Sequence, residues 1–435
     1  MIPHTMRNHV FAALLTIGFA FSVAQAEDWP QWRGPHFNGS SESKGLPAKL
    51  DSSTQAWAAT LPGGGSGTPV VWQDRIFVSC LDSNSQKLLA MCISRKDGAV
   101  LWSKQVGEGF LKNNRNDLAS PSAITDGKMV WFYFGTGDLI AYDLDGNAKW
   151  VRNIQKDFGN FNIQWIYSSS PLLYRGKLYV QVLQRDVPPK GPSTGPLADS
   201  YLLAIDATTG KDLWRHIRPN NAVAESKESY ATPMPYENGG HAEILLIGGD
   251  CVTAHDPETG NELWRCGGWN PQKIEHWRVV ASVVATDGLV FTCPPKKGAI
   301  FAIKDGGSGD VTSTAVAWKN PDITSDAAVP LVYKDHLYVL DGDKKSFYCV
   351  EPKTGKVLWS GSLGGHSVFR ASPTGADDKI YVMNEVGDVL VLATDEFKIL
   401  GSFNVGGAHN HASIVVVDGE VIVRAGEKLF AFKGS

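Results

Sequence analysis

"AIDATTGKDLW" (Ala204 to Trp214) and "AHDPETGNELW" (Ala254 to Trp264) share the pattern A-x-D-x-x-T-G-x-x-x-W, and the reading of this phrase decides the fold. Each copy reads as two short strands around a turn. The Asp side chain can accept from nearby backbone amides, and Gly supplies the positive φ that closes the turn. Decayed copies follow the same plan: "CVEPKTGKVLW" (Cys349 to Trp359), "CISRKDGAVLW" (Cys92 to Trp102) and the shorter "AYDLDGNAKW" (Ala141 to Trp150).

Upstream of each copy lies a second pair of strands. A small residue with Pro or Ser opens it, in eight places: "SGTPVVW", "ASPSAIT", "SSPLLYR", "YATPMPY", "ASVVATD", "AAVPLVY", "ASPTGAD" and "HASIVVV". A turn follows, then an apolar strand such as "RIFVSC" or "KLYVQVL", with the alternation of a half-buried strand. Four short strands recurring every 40 to 60 residues or so match the blades of a propeller. A β-sandwich would not repeat a turn-plus-Trp phrase at a fixed offset. The expected fold is all-β, an eight-bladed β-propeller of four-stranded blades.

Outer strands are expected to carry Trp102, Trp150, Trp214, Trp264, Trp318 and Trp359, each packed between neighbouring blades, with "ILGSF" standing in on the seventh. The eighth unit ends three strands in, at "KLFAFKGS". The missing strand is available at the other end of the chain, where "TQAWAAT" carries Trp57. This N-terminal strand is expected to complete the last blade, which removes the sheet edges an open array would expose.

Residues 1–26 read as a secretory signal: a weakly basic start, the apolar run "VFAALLTIGFAFSVA", and small residues at Ala24 and Ala26. No later stretch is long and apolar enough for a transmembrane helix. The expected product is exported, periplasmic or secreted, and monomeric. Without Arg7 its formal charge is 40 − 45 = −5. That balance lacks the basic footprint of nucleic-acid binding, and no nucleic-acid partner is expected. Residues 27–49, with "EDWPQWRGPHFNG", are expected to form a clasp that pins the closing strand. Residues 50–435 form the propeller.

The repeat resembles that of pyrroloquinoline-quinone-type (PQQ-like) eight-bladed propellers over nearly all of residues 50–435. The opening "DWPQWRGP…NG" is similar to the N-terminal signature of a secreted subgroup of that family. The resemblance implies one of two functions. One is a quinoprotein dehydrogenase that oxidises alcohols or sugars with a bound quinone and calcium. The other is a non-catalytic scaffold, such as the propeller lipoprotein of the outer-membrane β-barrel assembly machinery. This chain departs from both patterns. The quinoproteins carry a disulfide between adjacent cysteines, and no Cys-Cys pair occurs here; nor does a C-x-x-C-H haem motif. The scaffold is lipid-anchored, and no Cys lies near the cleavage point.

The six cysteines sit singly. Pairing Asp256 with Asn261 across the "DPETGN" turn puts Cys251 opposite Cys266, a disulfide that export permits. Cys80 and Cys92 flank another hairpin and are a second candidate pair. Hydrolase and calcium-loop motifs are missing, and "GGGSG" (Gly63 to Gly67) lacks the Lys and helix of a phosphate loop.

In a four-stranded blade, the loops leading into the inner strands gather around one mouth of the central channel. Here they supply Arg115, Asn116, Asp117, Trp165, Tyr167, Glu228, Tyr230, His276, Trp277, Arg278, Asp326, His366, Arg370, His409 and His411. The insert from Gln184 to Asp199 is expected to overhang this mouth. Three arginines there could hold a carboxylate, since a planar guanidinium matches it with two parallel hydrogen bonds. His409, His411 and His366 could bind a metal, although a water-filled mouth is polar in any propeller and its arginines commonly pair with local acids. The expectation is a non-catalytic scaffold without a cofactor, binding a protein or polymer partner at the mouth. The alternatives are a quinoprotein with a degenerate PQQ and calcium site, and a carbohydrate binder stacking sugars on Trp165 and Trp277.

Overall fold

The Asp-Thr-Gly turns fold as their side chains dictate. In the computed structural model, which describes residues 27–434 except 114, 189–198 and 295–297, Asp206 Oδ1 accepts from the Thr209 amide at 2.7 Å and its hydroxyl at 2.9 Å. Asp256 Oδ1 accepts from the Glu258 and Thr259 amides, both at 2.8 Å. Gly210 and Gly260 follow with φ of 72° and 76°. That left-handed region costs a residue with a Cβ roughly 1–2 kcal/mol.

Each turn joins the third and outer strands of an antiparallel sheet, and the described residues form eight such sheets. Blade 1 runs from its inner strand Val70–Trp72 to its outer strand Val100–Glu108, blade 2 from Ile124–Thr125 to Ala148–Asn153, and blade 3 from Leu172–Tyr174 to Asp212–Ile217. Blade 4 spans Met234–Asn238 to Glu262–Gly267, blade 5 Val284–Thr286 to Val316–Asn320, and blade 6 Leu331–Tyr333 to Val357–Ser362. Blade 7 spans Thr374–Ala376 to Ile399–Asn404. Blade 8 starts at Val415–Val417 and its third strand, Lys428–Lys433, pairs with Gln55–Thr60. The N-terminal strand closes the ring, with Trp57 opposite Ala431. The fold is an eight-bladed β-propeller, as the repeat predicts.

The spacing between Gly and Trp in the phrase acquires a physical meaning. Trp57, Trp102, Trp150, Trp214 and Trp318 each lie against the turn glycine of the next blade. A Cβ added at Gly210 would sit 2.7 Å from Trp150, and one at Gly260 2.4 Å from Trp214. In several of them the indole N–H also donates to a carbonyl of that next turn: Trp102 to Leu144 at 2.9 Å, Trp150 to Ala207 at 2.9 Å and Trp318 to Pro352 at 2.8 Å, whereas Trp214 Nε1 has no partner among the described residues. Two Trp depart from the rule: Trp359, whose facing turn on blade 7 has no glycine, and Trp264. The blade 5 turn opens and sends Gly309–Asp310 alongside the outer strand of blade 4 as a parallel fifth strand. Trp264 is thereby fully buried and donates to Glu243 of its own blade. On blade 7 the Trp position is Gly401, and the backbone of Ala48 occupies the space a side chain would need.

The same outer hairpins correct the disulfide expectation. A bulge at Ala254 and His255 slips the register by one residue, so Cys251 lies opposite Gly267 and Cys266 opposite Val252. A one-residue slip sends the two side chains to opposite faces. Cys80 lies opposite Leu89, and Cys92 opposite Phe77. All four are free buried thiols.

A girdle of hydroxyls holds the inner strands in a ring. The Thr68 amide donates to Ser122, Ser122 to Ser170, Ser170 to Thr232 and Thr232 to Ser282, at 2.8–3.0 Å. Val329 donates to Ser372, and Ser413 returns to Thr68 at 3.0 Å. These are the small residues that open each blade in the sequence.

Below the girdle the N-terminal segment lies inside the ring. Trp29 pairs with Val71 of blade 1, and the Pro30 carbonyl accepts from Thr125 of blade 2 at 2.9 Å. Gly39 and Ser41 bracket Gly375 of blade 7. Arg33, 2 % exposed, donates to the carbonyls of Pro330 at 3.3 Å and Pro373 at 3.1 Å. No carboxylate pairs with it among the described residues, and burial lowers its pKa to about 9. Residues 1–26 lie outside the described residues, as does most of the insert between Gln184 and Asp199. Among the described residues no helix is long and apolar enough to cross a membrane.

Candidate functional site

The loops entering the inner strands converge above the girdle on a funnel with a cavity volume of about 160 Å³ that opens to solvent. Its charged lining is Arg115, Arg278, Arg370, Asp326, Glu385 and His411, and its aromatic lining is Trp32, Trp165 and Tyr230. Serines and Thr232, several of them girdle residues, supply much of the remainder.

The arginines differ in how far they are neutralised. Arg370 is held by three acids: Asp343 at 2.7 Å, Asp326 at 3.7 Å and Glu385 at 3.9 Å. Its Nε has no hydrogen-bond partner among the described residues, and neither has Asp326 Oδ1. Arg278 has a looser partner, Glu225 at 3.6 Å, whose Oε1 also accepts from Trp165 Nε1 at 2.8 Å. Arg115 is exposed and pairs with no acid among the described residues. On the acidic side, Glu385 Oε1 lies 3.1 Å from His411 Nε2. The hydrogen bond from His411 holds the Glu385 carboxyl below its usual value, and the positive charge of Arg370 adds to the effect.

Eight of the residues expected at the mouth meet in this funnel: Arg115, Asn116, Trp165, Tyr230, Arg278, Asp326, Arg370 and His411. Asn116 braces the wall, donating to the Trp165 carbonyl at 3.1 Å. Seven others do not line it. Glu228 is fully buried, in an ion pair with Arg185 and a 2.5 Å hydrogen bond from Tyr230, and burial raises its pKa. Asp117 turns back to accept from the Ala119 amide at 2.8 Å, and burial raises its pKa against the pull of Arg424. Tyr167 is buried and donates to the Gln181 carbonyl. His276, His366 and His409 are exposed, and Trp277 lies outside the lining.

Two lining residues escape a reading restricted to the loops before the inner strands. Glu385 sits in the turn between the second and third strands of blade 7, which opens on the same face; that topological rule is the signal that finds it. Trp32 belongs to no blade. Nothing local in "DWPQWRGP" indicates that it reaches the base of the channel.

For nucleophilic chemistry the thiols are poorly placed, since burial pushes Cys80 and Cys266 up to about 11 and Cys92 to about 12. Three of the funnel serines are occupied as well: the Ser122, Ser170 and Ser372 hydroxyls accept backbone amides. Nor do the residues present fit a calcium-held quinone. Calcium takes six to eight oxygen ligands, and the funnel's two lining carboxylates are both directed at Arg370. Among the described residues no three His, Cys, Asp or Glu side chains group around a common metal position.

The profile of the family described as outer membrane protein assembly factor BamB matches residues 42–187, 198–317 and 249–435. Among curated proteins no sequence match is found. Solved structures share the fold at low identity. BamB from Moraxella catarrhalis is 14% identical, with a TM-score of 0.59 over 87% of this chain and 97% of that one. Quinohemoprotein alcohol dehydrogenase from Comamonas testosteroni is 13% identical, with a TM-score of 0.68 over 94% and 80%. A europium-containing methanol dehydrogenase is 11% identical, with a TM-score of 0.67 over 93% and 90%. The blade repeat, the ring closure and the family match together place this chain in the BamB-like family of PQQ-type propellers.

Proposed function

We propose that this chain is an exported, non-catalytic propeller whose channel mouth binds a carboxylate-bearing group on a protein or polymer partner. One observation carries the reading: three arginines line a single funnel, and although Arg278 and Arg370 are paired with acids, Arg115 has no acidic partner among the described residues. Guanidinium groups arranged in this way suit carboxylates through charge-assisted, paired hydrogen bonds.

Two further points support the reading. Rigid propellers offer broad surfaces suited to holding partners, and the name of the matching family describes an assembly factor. The order of charge, apolar run and small residues at the N-terminus supports export. Calorimetric titration of residues 27–435 with citrate tests the carboxylate site. Saturable binding that Arg278→Ala weakens at least tenfold is expected. Absence of heat with citrate and with acidic peptides would overturn it.

A further inference from the structure

We infer that Trp32 is a ligand-contacting residue of the funnel, so that ligand binding is coupled to docking of the N-terminal segment. The inference rests on the funnel being the binding site. Every other lining residue belongs to a blade or to a loop entering one; Trp32 alone comes from the segment inside the ring.

The placement of this residue is built rather than incidental. On one side of Trp32 the chain is bonded to blades 1 and 2, through Trp29 to Val71 and Pro30 to Thr125. On the other side the Arg33 guanidinium spans the carbonyls of Pro330 and Pro373, in blades 6 and 7. Those prolines directly follow Val329 and Ser372 of the girdle, so Arg33 sits just beneath it and Trp32 meets the funnel from below. The segment also closes on itself. Glu27 accepts from the Ser41 hydroxyl at 2.7 Å and the Glu42 amide at 2.6 Å, and lies 2.9 Å from His36. Residues 27–42 thus form a compact loop with its ends together, of the kind that inserts as a unit.

The ring of Trp32 is only half-buried. It packs against the apolar cluster of blades 5 and 6 while lining the polar funnel. A partly exposed indole beneath arginines and hydroxyls offers a planar apolar base to a ligand whose acidic groups the arginines take. Because that base is carried by a separable loop, a ligand touching it must stabilise the docked loop, and the docked loop must by the same factor strengthen the ligand.

Two probes separate this inference from the reading it rests on: citrate, and the flat aromatic benzene-1,3,5-tricarboxylate. Trp32→Ala is expected to weaken the aromatic probe by about three- to tenfold more than citrate, the range that ring stacking supplies. Trp32→Phe should restore most of the loss. Arg33→Ala, which touches no funnel arginine, should weaken the aromatic probe to a similar degree by undocking the loop. Saturating aromatic probe should also slow amide hydrogen exchange across residues 27–43 of the unsubstituted protein. Should Arg278→Ala abolish binding of both probes while Trp32→Ala binds them as the parent does, the inference falls and the carboxylate site stands. If neither probe binds the parent protein, both fall together.

Discussion

Trp57 Nε1 donates to the Arg95 carbonyl at 2.8 Å, and this bond spans the seam of the ring. Trp57 lies on the strand that completes blade 8, and Arg95 opens the outer turn of blade 1. Arg95 reaches back across the same seam, with Nε 2.8 Å from Glu420 of blade 8. Trp57 is 8 % exposed, so its contacts count at nearly full value. Replacing it with Ala should cost about 3–5 kcal/mol, read as a lowered midpoint in chemical denaturation. Trp150→Ala, which empties a half-exposed position, should cost less.

The turn glycines provide a sharper test of the Gly-to-Trp fit. Gly176 and Gly260 have nearly the same φ, 74° and 76°. A Cβ at Gly176 meets nothing within 4 Å, whereas one at Gly260 would lie 2.4 Å from Trp214. Gly176→Ala should therefore cost only the backbone strain, roughly 1–2 kcal/mol. Gly260→Ala should cost distinctly more, because the indole must also shift. Equal losses would show that the ring does not depend on this contact.

His255 sets a pH dependence. It is fully buried, with Nδ1 3.0 Å from the Gly260 carbonyl and Nε2 2.9 Å from Thr253 Oγ1. Burial lowers its pKa from 6.5 to about 3, with the charge of Arg218 adding to the effect. Between those two values the unfolded chain binds the proton and the folded chain does not. The contribution of this group is complete above about pH 6.5 and declines as the pH falls, by about 1.4 kcal/mol per unit, until about pH 3. Denaturation midpoints at pH 7 and pH 5 should show the loss, and His255→Gln should reduce it by about 2 kcal/mol.

Deleting residues 27–42 should lower the melting temperature markedly and leave the β content intact. The segment bonds to the inner strands of four blades, but no blade strand lies within it. Circular dichroism and calorimetry together check this. An unchanged melting temperature would mean that the loop adds nothing to the ring.

The sequence makes the scaffold readable because the physics that repeats is local. An Asp that bonds its own turn, a Gly that must take positive φ and a Trp at fixed offset recur in the phrase, and in the structure most of these Trp meet the Gly of the next blade. From that repeat the blade count and the closure by Trp57 can be worked out. The disulfide expectation fails at the first feature that periodicity cannot encode, the bulge at Ala254 and His255. About half of the mouth was legible in the same manner. Arg115, Arg278 and Arg370 sit where the loop rule puts them. Glu228 sits on such a loop too, yet its side chain turns inward to Arg185 and Tyr230, a choice made by packing rather than by position. Trp32 was the least legible residue, because its role depends on where a non-repeating segment comes to rest.

The central claim is that the funnel holds carboxylates by its arginines and does not support quinone redox chemistry. Pyrroloquinoline quinone, itself a tricarboxylate, tests both parts in one calorimetric titration of residues 27–435, run with and without calcium and paired with a dye-reduction assay on alcohols and sugars. The account predicts that any binding is independent of calcium, is weakened by Arg278→Ala, and gives no substrate-dependent dye reduction. Calcium-dependent binding at micromolar affinity or tighter, with alcohol- or sugar-dependent reduction of the dye, would contradict it.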